Sequence, residues 1–306
     1  MKKVVVSAPG KIHLMGEHAV VYGKPALLSA IDKRLTITVE ETQVNTEQPD
    51  FIAQGVELIK QKLHITDERP IHIAITSDIR SGFHLGSSAA VAVALTGAIM
   101  KFYTDRFDVQ KINDIAYDIE KITHGNPSGG DNTAVTYGGF LWFQKKSETE
   151  KIFQQLAFLF PDSFNHFFLI NTGKPESTKD MIALVKSNIE RQPQTMEQIF
   201  RKNEKATMMV KDALETSNER MFIEGIRLGE STLEYMGVVG KTVKPLIRDI
   251  EQAGGAAKIL GGGGVKDGVG YMLCYHTNKK QIEDIVSSYQ YSMESVELGE
   301  EGVRIE

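Results

Sequence analysis

The sequence predicts an α+β protein in two domains, and three observations lead to this prediction. The chain has 306 residues, which is about two domains at roughly 150 residues each. In its first half, apolar and polar residues alternate in short runs, which is typical of half-buried antiparallel strands, and helical patterns lie between these runs. In its second half, long stretches with helical periodicity dominate. We place the boundary near residues 148–160, which gives domains at 1–155 and 156–306.

The predicted elements follow this division in order along the chain. In the first half we predict strands at 4–7, 35–39, 71–76 and 140–143, and helices at 55–63, 88–103 and 109–123. In the second half we predict a strand at 166–170 and helices at 177–191, 195–216, 219–236 and 242–253. A glycine-rich segment, a strand at 270–275, a helix at 279–289 and a terminal strand complete the chain.

Composition and charge exclude several classes of protein. Hydrophobic residues make up 41% and charged residues 25% of the chain, which is ordinary for a globular fold. The formal net charge of -5 gives no basic field that would attract nucleic acid or an anionic membrane. The apolar stretch 89–100 is shorter than the roughly 20 residues that span a bilayer, and the N-terminal apolar run is too short for an export signal. We therefore expect a cytoplasmic protein, with its single cysteine, Cys274, as a buried inert thiol.

The most informative glycine-containing segment is residues 81–95, which read SGFHLGSSAAVAVAL. A loop here follows a strand and leads directly into a helix whose first turns consist of small residues. The N-terminus of such a helix offers backbone N–H groups and a positive dipole end to an anion, and small side chains let a phosphate approach closely. Ordinary capping of a core helix by serine is the alternative interpretation.

Two common nucleotide-binding motifs are absent from the sequence. A Walker loop requires four residues between a glycine and Gly-Lys-Ser/Thr, whereas the two candidate segments, 16–24 and 237–242, have six and two. No Gly-x-Gly-x-x-Gly follows a strand with an acidic residue about 20 positions later. The sequence therefore predicts neither a P-loop NTPase nor a dinucleotide-binding fold.

Two further segments carry polar residues of catalytic type. In residues 7–23, SAPGKIHLMGEHAVVYG, we place Lys11, Glu17 and His18 in a turn-rich segment just after the first strand. In residues 120–133, EKITHGNPSGGDNT, a helix end is followed by a turn that presents Asp131. A carboxylate there can act as a base or a metal ligand. A solvated loop in the first segment and turn capping in the second are the alternatives.

Taken together and in this order, the segments resemble the GHMP small-molecule kinases. The resemblance rests on residues 9–11 with 16–18, on LGSSA at 85–89, on HGNPSGGDN at 124–132 and on TGKPEST at 172–178. It implies an N-terminal domain similar to ribosomal protein S5 domain 2, a C-terminal ferredoxin-like domain, and an active site between them. Within the family, the motifs are most similar to those of members that phosphorylate the 5-hydroxyl of mevalonate for isoprenoid biosynthesis.

The resemblance also implies roles for individual residues. Asp131 matches the catalytic aspartate that draws the proton from the accepting hydroxyl, and Lys11 matches the lysine beside it, which stabilises charge on the transferring phosphoryl group. Ser88 and Glu120 match the ligands of Mg2+, an ion that prefers hard oxygen donors. The ATP phosphates are expected on the backbone of Leu85, Gly86, Ser87, Ser88 and Ala89. The carboxylate and hydroxyls of mevalonate are expected near Glu17, His18 and Thr178.

The sequence departs from the family pattern at two places. Arg80 stands where the family loop has proline, and His84 stands where it has the glycine before the Leu-Gly-Ser-Ser motif. The closing glycine-rich loop, LGGGGVKDG at 260–268, lacks the usual threonine. We assign this loop generally to the substrate or phosphate side of the site.

We therefore expect an ATP- and Mg2+-dependent kinase that acts on mevalonate, without nucleic-acid or membrane partners. Phosphomevalonate kinase, galactokinase and homoserine kinase are the alternatives within the family. A ligand sensor without catalytic turnover is the alternative of another class, although Lys11, Glu120 and Asp131 argue against it. The oligomeric state stays open, and a homodimer is compatible with the sequence.

Overall fold

A computed structural model describes residues 2–44, 46–124, 127–147, 150–157, 164, 166–266 and 268–306, with the side chains of Thr123 and His124 left out. Gly125 and Asn126 of the HGNPSGGDN motif and Asp267 of the loop 260–268 lie outside the described residues. So do parts of the predicted domain boundary, at 148–149 and 158–160.

The first half of the chain, together with the last residues, forms an antiparallel sheet of six strands. These are β1 (Lys3–Met15), β2 (Ala26–Glu41), β3 (Ile71–Ser77), β4 (Phe140–Lys145), β5 (Lys151–Leu156) and β10 (Arg304–Ile305). Their order in the sheet is β10-β1-β2-β4-β5, with β3 also paired to β2. The helices between these strands are a short 3-10 turn (Ala19–Tyr22), α1 (Asp50–Leu63), α2 (Ser87–Thr104), α3 (Val109–His124) and α4 (Gly130–Tyr137).

Helix α2 lies at the centre of this half and contacts β1, β2, α1, α3 and α4. Its alanine-rich sequence explains this position, because small side chains let the sheet and three helices approach on all sides. Of the helices in the described ranges, α2 is the one that is long and apolar enough to cross a membrane, but 67% of that stretch is buried inside the molecule. We interpret α2 as the core helix of this half.

The second half forms an antiparallel sheet of four strands, β6 (Phe167–Asn171), β7 (Ala256–Ile259), β8 (Tyr271–Tyr275) and β9 (Ser292–Val296). Their order in the sheet is β7-β8-β6-β9. Its helices are α5 (Thr178–Arg191), α6 (Pro193–Glu215), α7 (Glu219–Met236), α8 (Lys244–Gln252) and α9 (Lys279–Ser288). When the strands are numbered 1 to 4 from β6 and the sheet is read from β9 to β7, the order is 4-1-3-2, which is the ferredoxin-like arrangement. The predicted α+β fold class is therefore confirmed.

The two halves share one continuous core, since Val6 of β1, Leu95 of α2 and Leu169 of β6 belong to the same cluster of buried side chains. The chain also returns to its first sheet at the end, where β10 pairs with β1. There the Ser7 hydroxyl donates to Glu306 Oε1 at 2.5 Å. The division at 155/156 stays a prediction, and the structure adds that the last residues belong to the first sheet.

One sequence prediction about the site is wrong: Lys11 does not lie in a turn after a short first strand. Strand β1 continues to Met15 and pairs with β2 through two shifts of register, between Pro9 and Gly10 and between His13 and Met15. Such irregularities let a strand continue through proline and glycine at a changed angle. Lys11 is therefore held by a sheet, whereas Glu17 and His18 do lie beyond the strand.

A second prediction is also wrong, because Asp131 does not lie on a simple turn. It is the second residue of helix α4, which the local sequence did not indicate. Gly129 precedes the helix with φ 86°, a conformation that costs glycine nothing. Strands β5 and β7 were not predicted either, and two strands, β9 and β10, stand where one terminal strand was predicted.

Candidate active site

Lys11 and Asp131, far apart in sequence, form an ion pair at the centre of the predicted site. Lys11 Nζ lies 2.9 Å from Asp131 Oδ2. The lysine side chain is buried, whereas the aspartate side chain keeps 39% of its surface exposed. The backbone N–H of Lys11 also donates to Leu85 O at 2.9 Å. Strand β1, the loop before α2 and the start of α4 therefore converge on one lysine.

His13 is a neighbour of Lys11 that the sequence analysis missed. The two residues are two positions apart on a strand and point to the same face, and Lys11 Nζ lies 3.4 Å from His13 Nδ1. Burial, with the nearby Lys11 ammonium as the next cause, lowers the pKa of His13 to about 3. The imidazole is therefore neutral, and because an ammonium can only donate, Nδ1 accepts from Lys11. Recognising residue 11 as part of a strand would have indicated this pair.

The start of α2 lies against the side chain of Lys11. Gly86 is the N-cap of the helix with φ 80°, and a Cβ placed on it would lie 2.8 Å from Lys11 Cγ. A side chain at position 86 would therefore be strained and would displace the lysine. The first N–H groups of an α-helix have no partner inside the helix and carry its positive dipole end. Residues 85–89 thus present backbone donors beside an ammonium group.

Helix α4 holds Asp131 in its first turn, where the positive end of the helix stabilises a negative charge. The next residue fixes the helix in place, because buried Asn132 Nδ2 donates to Asn113 Oδ1 on α3 at 2.7 Å. Thr133 Oγ1 donates to Gly129 O at 2.6 Å and braces the first turn. The carboxylate of Asp131 is therefore positioned by a rigid element.

The predicted metal ligands lie on helices that pack together. Glu120 is a buried carboxylate on α3, and α3 contacts both α2, which begins at Ser87, and α4. Within the described ranges there is no group of three or more His, Cys, Asp or Glu side chains that could hold a metal ion. Mg2+ does not require one, since it is usually bound by one or two carboxylates together with substrate phosphates and water. One carboxylate and the Ser88 hydroxyl therefore fit a phosphate-bound Mg2+.

His18 reaches the glycine-rich loop of the second half. It has φ 58°, and its Nε2 lies 3.1 Å from Gly262 O. Burial lowers the pKa of His18, although the bond to Gly262 opposes this. The ring is therefore neutral, and because a carbonyl can only accept, Nε2 carries the proton and Nδ1 is an acceptor.

Glu17 lies in a buried ion pair with Lys258 of β7. The ammonium of Lys258 also donates to His13 O at 3.1 Å and to Ile259 O at 2.8 Å. Burial raises the pKa of Glu17, and the Lys258 ammonium opposes that rise. Glu17 thus joins the two halves of the molecule behind the site, and its predicted contact with an acceptor substrate stays a prediction.

Lys258 and its neighbour Glu230 are further residues that the sequence analysis missed. Glu230 lies fully buried on α7 and accepts a hydrogen bond from Ile259 N at 3.0 Å. The signal for Lys258 was present as a single charge inside the apolar run AAKIL at 256–260, since a buried lysine requires a partner. Glu230 stands among polar residues of an amphipathic helix and gave no comparable signal.

Thr178, the first residue of α5, completes the site from the second half. Its Oγ1 lies 3.4 Å from His84 Nδ1, and it also lies 3.4 Å from the position that a Cβ on Gly262 would occupy. His18, Gly262, Thr178 and His84 therefore form a connected row. The site as a whole places a carboxylate, an ammonium and two helix N-termini together, which suits binding of a polyanion beside a proton acceptor.

Two family models match the chain. GHMP kinases N terminal domain matches residues 50–139, and the galactokinase galactose-binding signature matches residues 1–41. A mevalonate kinase of Thermococcus onnurineus is 30% identical over 342 residues, which cover 99% of this chain and 98% of that protein.

Solved structures share the fold at lower identity. L. major mevalonate kinase in complex with R-mevalonate has a TM-score of 0.78 and 21% identity, over 94% of this chain and 91% of that one. Streptococcus pneumoniae phosphomevalonate kinase in complex with phosphomevalonate and AMPPNP has a TM-score of 0.79 and 18% identity, over 97% and 100%. The fold alone therefore does not distinguish between acceptor substrates.

Proposed function

Since this chain belongs to the GHMP kinase family of ATP-dependent small-molecule kinases, we propose that it phosphorylates the 5-hydroxyl of mevalonate. An alcohol as acceptor follows from the family, and mevalonate is supported by similarity over the full length to a mevalonate kinase. The expected cytoplasmic location and a homodimer stay predictions.

The observation that carries the proposal is the ion pair between Lys11 and Asp131, with 2.9 Å between Nζ and Oδ2. In this proposal Asp131 accepts the proton of the attacking hydroxyl. Lys11 lies beside the start of α2, and its ammonium stabilises negative charge on the transferring phosphoryl group. Phosphoryl transfer requires mainly positioning and electrostatic stabilisation, and both groups are held by packed elements.

The ATP phosphates bind at residues 85–89 in this proposal, with backbone N–H groups as donors. Ser88 and Glu120 would hold Mg2+, which when bound would neutralise phosphate charge. Gly86 keeps the backbone free of a side chain next to Lys11. The nucleotide side of the site is thus built entirely from the first half of the chain.

The acceptor binds between this surface and the loops of the second half. His18 Nδ1 is an acceptor suited to a substrate hydroxyl, because Nε2 is committed to Gly262 O. The Thr178 hydroxyl lies next to Gly262 and can meet a substrate carboxylate or hydroxyl. The acceptor is therefore expected to bridge residues from both halves.

Galactokinase activity is a second candidate, because the galactose-binding signature matches residues 1–41. That match covers the strand with Lys11 and the turn with Glu17 and His18, so it includes the acceptor side. A non-catalytic ligand sensor is disfavoured by the retained pair of Lys11 and Asp131. We favour mevalonate because the similarity to a mevalonate kinase extends over both halves of the chain, whereas the galactose-binding signature ends at residue 41.

A coupled assay of ADP release tests the proposal directly. We expect kcat/KM with mevalonate to exceed that with galactose, homoserine or 5-phosphomevalonate by at least about a hundredfold, which is roughly 2.7 kcal/mol of discrimination. Preference for galactose would establish the second candidate instead. Absence of turnover with every acceptor would favour the ligand sensor.

A further inference from the structure

His84 has a backbone conformation that is unfavourable for its side chain. It has φ 64°, in the left-handed region that glycine adopts without strain, and the resembled family has glycine here. Strain of this kind persists where the surrounding structure enforces it, and it often marks a functional site. The contacts of the imidazole therefore require an explanation.

The imidazole lies between the loop before α2 and two segments of the second half. A Cβ on Gly261 would lie 2.4 Å from His84 Cβ, so the loop at 260–264 approaches the histidine as closely as glycine permits. The ring also contacts α5, since His84 Nδ1 lies 3.4 Å from Thr178 Oγ1. His84 thus joins the nucleotide side of the site to the residue predicted to contact the acceptor.

The two ring nitrogens differ in their surroundings. His84 Nε2 is buried and has no hydrogen-bond partner among the residues that the structure describes, whereas Nδ1 faces the Thr178 hydroxyl. Burial, with the Lys11 ammonium as the next cause, lowers the pKa of His84 to about 4, so the ring is neutral and has one N–H. Because a buried N–H without a partner is rare and costly, we assign the proton to Nδ1, which leaves Nε2 as an acceptor.

This tautomer determines the role of Thr178. Nδ1–H donates to Oγ1, so the hydroxyl uses a lone pair towards His84 and its own hydrogen is available for another acceptor. We infer that His84 is a positioning residue for the acceptor substrate, an inference that rests on the proposed function. It holds the Thr178 hydroxyl as a hydrogen-bond donor to the carboxylate of mevalonate.

The geometry assigns this role to the acceptor and not to ATP. Thr178 lies beside Gly262, whose carbonyl accepts from His18, so His84 acts on the row of residues from the second half. The nucleotide phosphates meet backbone N–H groups of residues 85–89 in our proposal and do not require the ring. Loss of the imidazole should therefore change the KM for mevalonate and leave the KM for ATP nearly unchanged.

Two substitutions of His84 separate this role from a merely structural one. His84→Gly suits the backbone conformation but removes the donor, and it should raise the KM for mevalonate by about tenfold or more, as expected for a lost hydrogen bond to a charged group. His84→Asn also tolerates positive φ, and its amide nitrogen occupies nearly the position of Nδ1. We expect His84→Asn to keep the KM for mevalonate within about threefold of wild type. Both variants should keep kcat and the KM for ATP within about threefold of wild type.

Thr178→Val tests whether His84 acts on the substrate through the Thr178 hydroxyl. Alone it should raise the KM for mevalonate as His84→Gly does, and the double variant should show no further increase, because both changes remove one interaction. Thermal melting of each variant checks that the fold is intact. The inference would be overturned if the effects of the two single variants were additive or if the KM for ATP rose equally. It would also be overturned if His84→Gly left the KM for mevalonate unchanged, or if His84→Asn were as impaired as His84→Gly.

The kinetics of the wild type distinguish failure of this inference from failure of the proposed function. If the wild type prefers galactose, which has no carboxylate, the proposed function fails, and the inference fails with it because its carboxylate is missing. If the wild type prefers mevalonate and His84→Gly leaves its KM unchanged, the inference alone fails.

Discussion

Glu17, Glu230 and Lys258 are three buried ionisable side chains that lie together behind the active site. Burial raises the pKa of Glu230 to about 8, opposed by the hydrogen bond from Ile259 N and by the Lys258 charge. At neutral pH Glu230 therefore keeps its proton, and the single ammonium of Lys258 balances the single carboxylate of Glu17. Two charged carboxylates beside one ammonium would leave an uncompensated charge in the core.

Glu230 should make stability depend on pH. Its pKa is about 8 in the folded protein and 4.5 as the unperturbed value, so its stabilising contribution is full below about pH 4.5 and is lost as pH rises towards 8. Glu230→Gln cannot titrate and keeps an acceptor for Ile259 N. We expect the melting temperature of the variant, relative to wild type, to rise by at least about 2 °C between pH 5 and pH 9. Parallel pH profiles of the two proteins would contradict this assignment.

Asp131→Asn tests the proton acceptor. The substitution keeps the shape of the side chain but removes its charge and basicity, so kcat should fall by about 100-fold or more while nucleotide affinity changes little. Steady-state ADP release and calorimetric titration with ATP measure the two quantities. Asp284→Asn is the matched control, since Asp284 also pairs with a lysine, Lys280, but on the exposed surface of α9. Near-normal turnover of Asp131→Asn would remove this residue from the mechanism.

At the scale of elements, the start of α2 depends on a glycine for two separate reasons, and the chain offers a control for one of them. Gly86 and Gly82 both have φ 80°, but a Cβ on Gly86 would meet Lys11, whereas nothing lies within 4 Å of one on Gly82. Both alanine variants should lose about 1 to 2 kcal/mol of stability from backbone strain. Gly86→Ala should in addition lower kcat by about tenfold or more, because it displaces Lys11. Equal kcat values for the two variants would show that the lysine position does not depend on this contact.

Amphipathic helices are the elements that the sequence predicted best. The predicted helix 219–236 coincides with α7, and 177–191 corresponds to α5 with Ser177 as its cap. Both have local signals, namely an apolar face and an N-cap side chain that accepts a backbone N–H. Such signals lie within the segment itself, so these helices can be predicted without knowledge of the fold.

Helix α4 and the second half of β1 lack such signals. The start of α4 is rich in glycine and asparagine, which locally favour a turn, and the helix is held by the bond from Asn132 to Asn113. Strand β1 passes through Pro9 and Gly10, which usually end a strand, and it continues because β2 pairs with it on both sides of the irregularity. In both cases tertiary contacts outweigh local propensity.

At the scale of the whole molecule, the site exists because the two halves pack against each other. Lys258 of β7 donates to His13 O of β1 and pairs with Glu17, and His18 reaches Gly262. The motif resemblance predicted that the site lies between two domains, and the family and fold class are confirmed. The family motifs include neither Lys258, whose partner Glu17 lies 241 positions away, nor Glu230, which meets Ile259 N where α7 packs against β7.

The chemical identity of the product tests the central claim most directly. Incubation with ATP, Mg2+ and mevalonate, followed by 31P NMR without proton decoupling, reports which hydroxyl receives the phosphoryl group. Transfer to the 5-hydroxyl predicts a new phosphomonoester signal split into a triplet by the two protons of the adjacent methylene group, formed in amounts equal to ADP. An unsplit signal from the tertiary hydroxyl, or inorganic phosphate as the sole product beside ADP, would contradict the account.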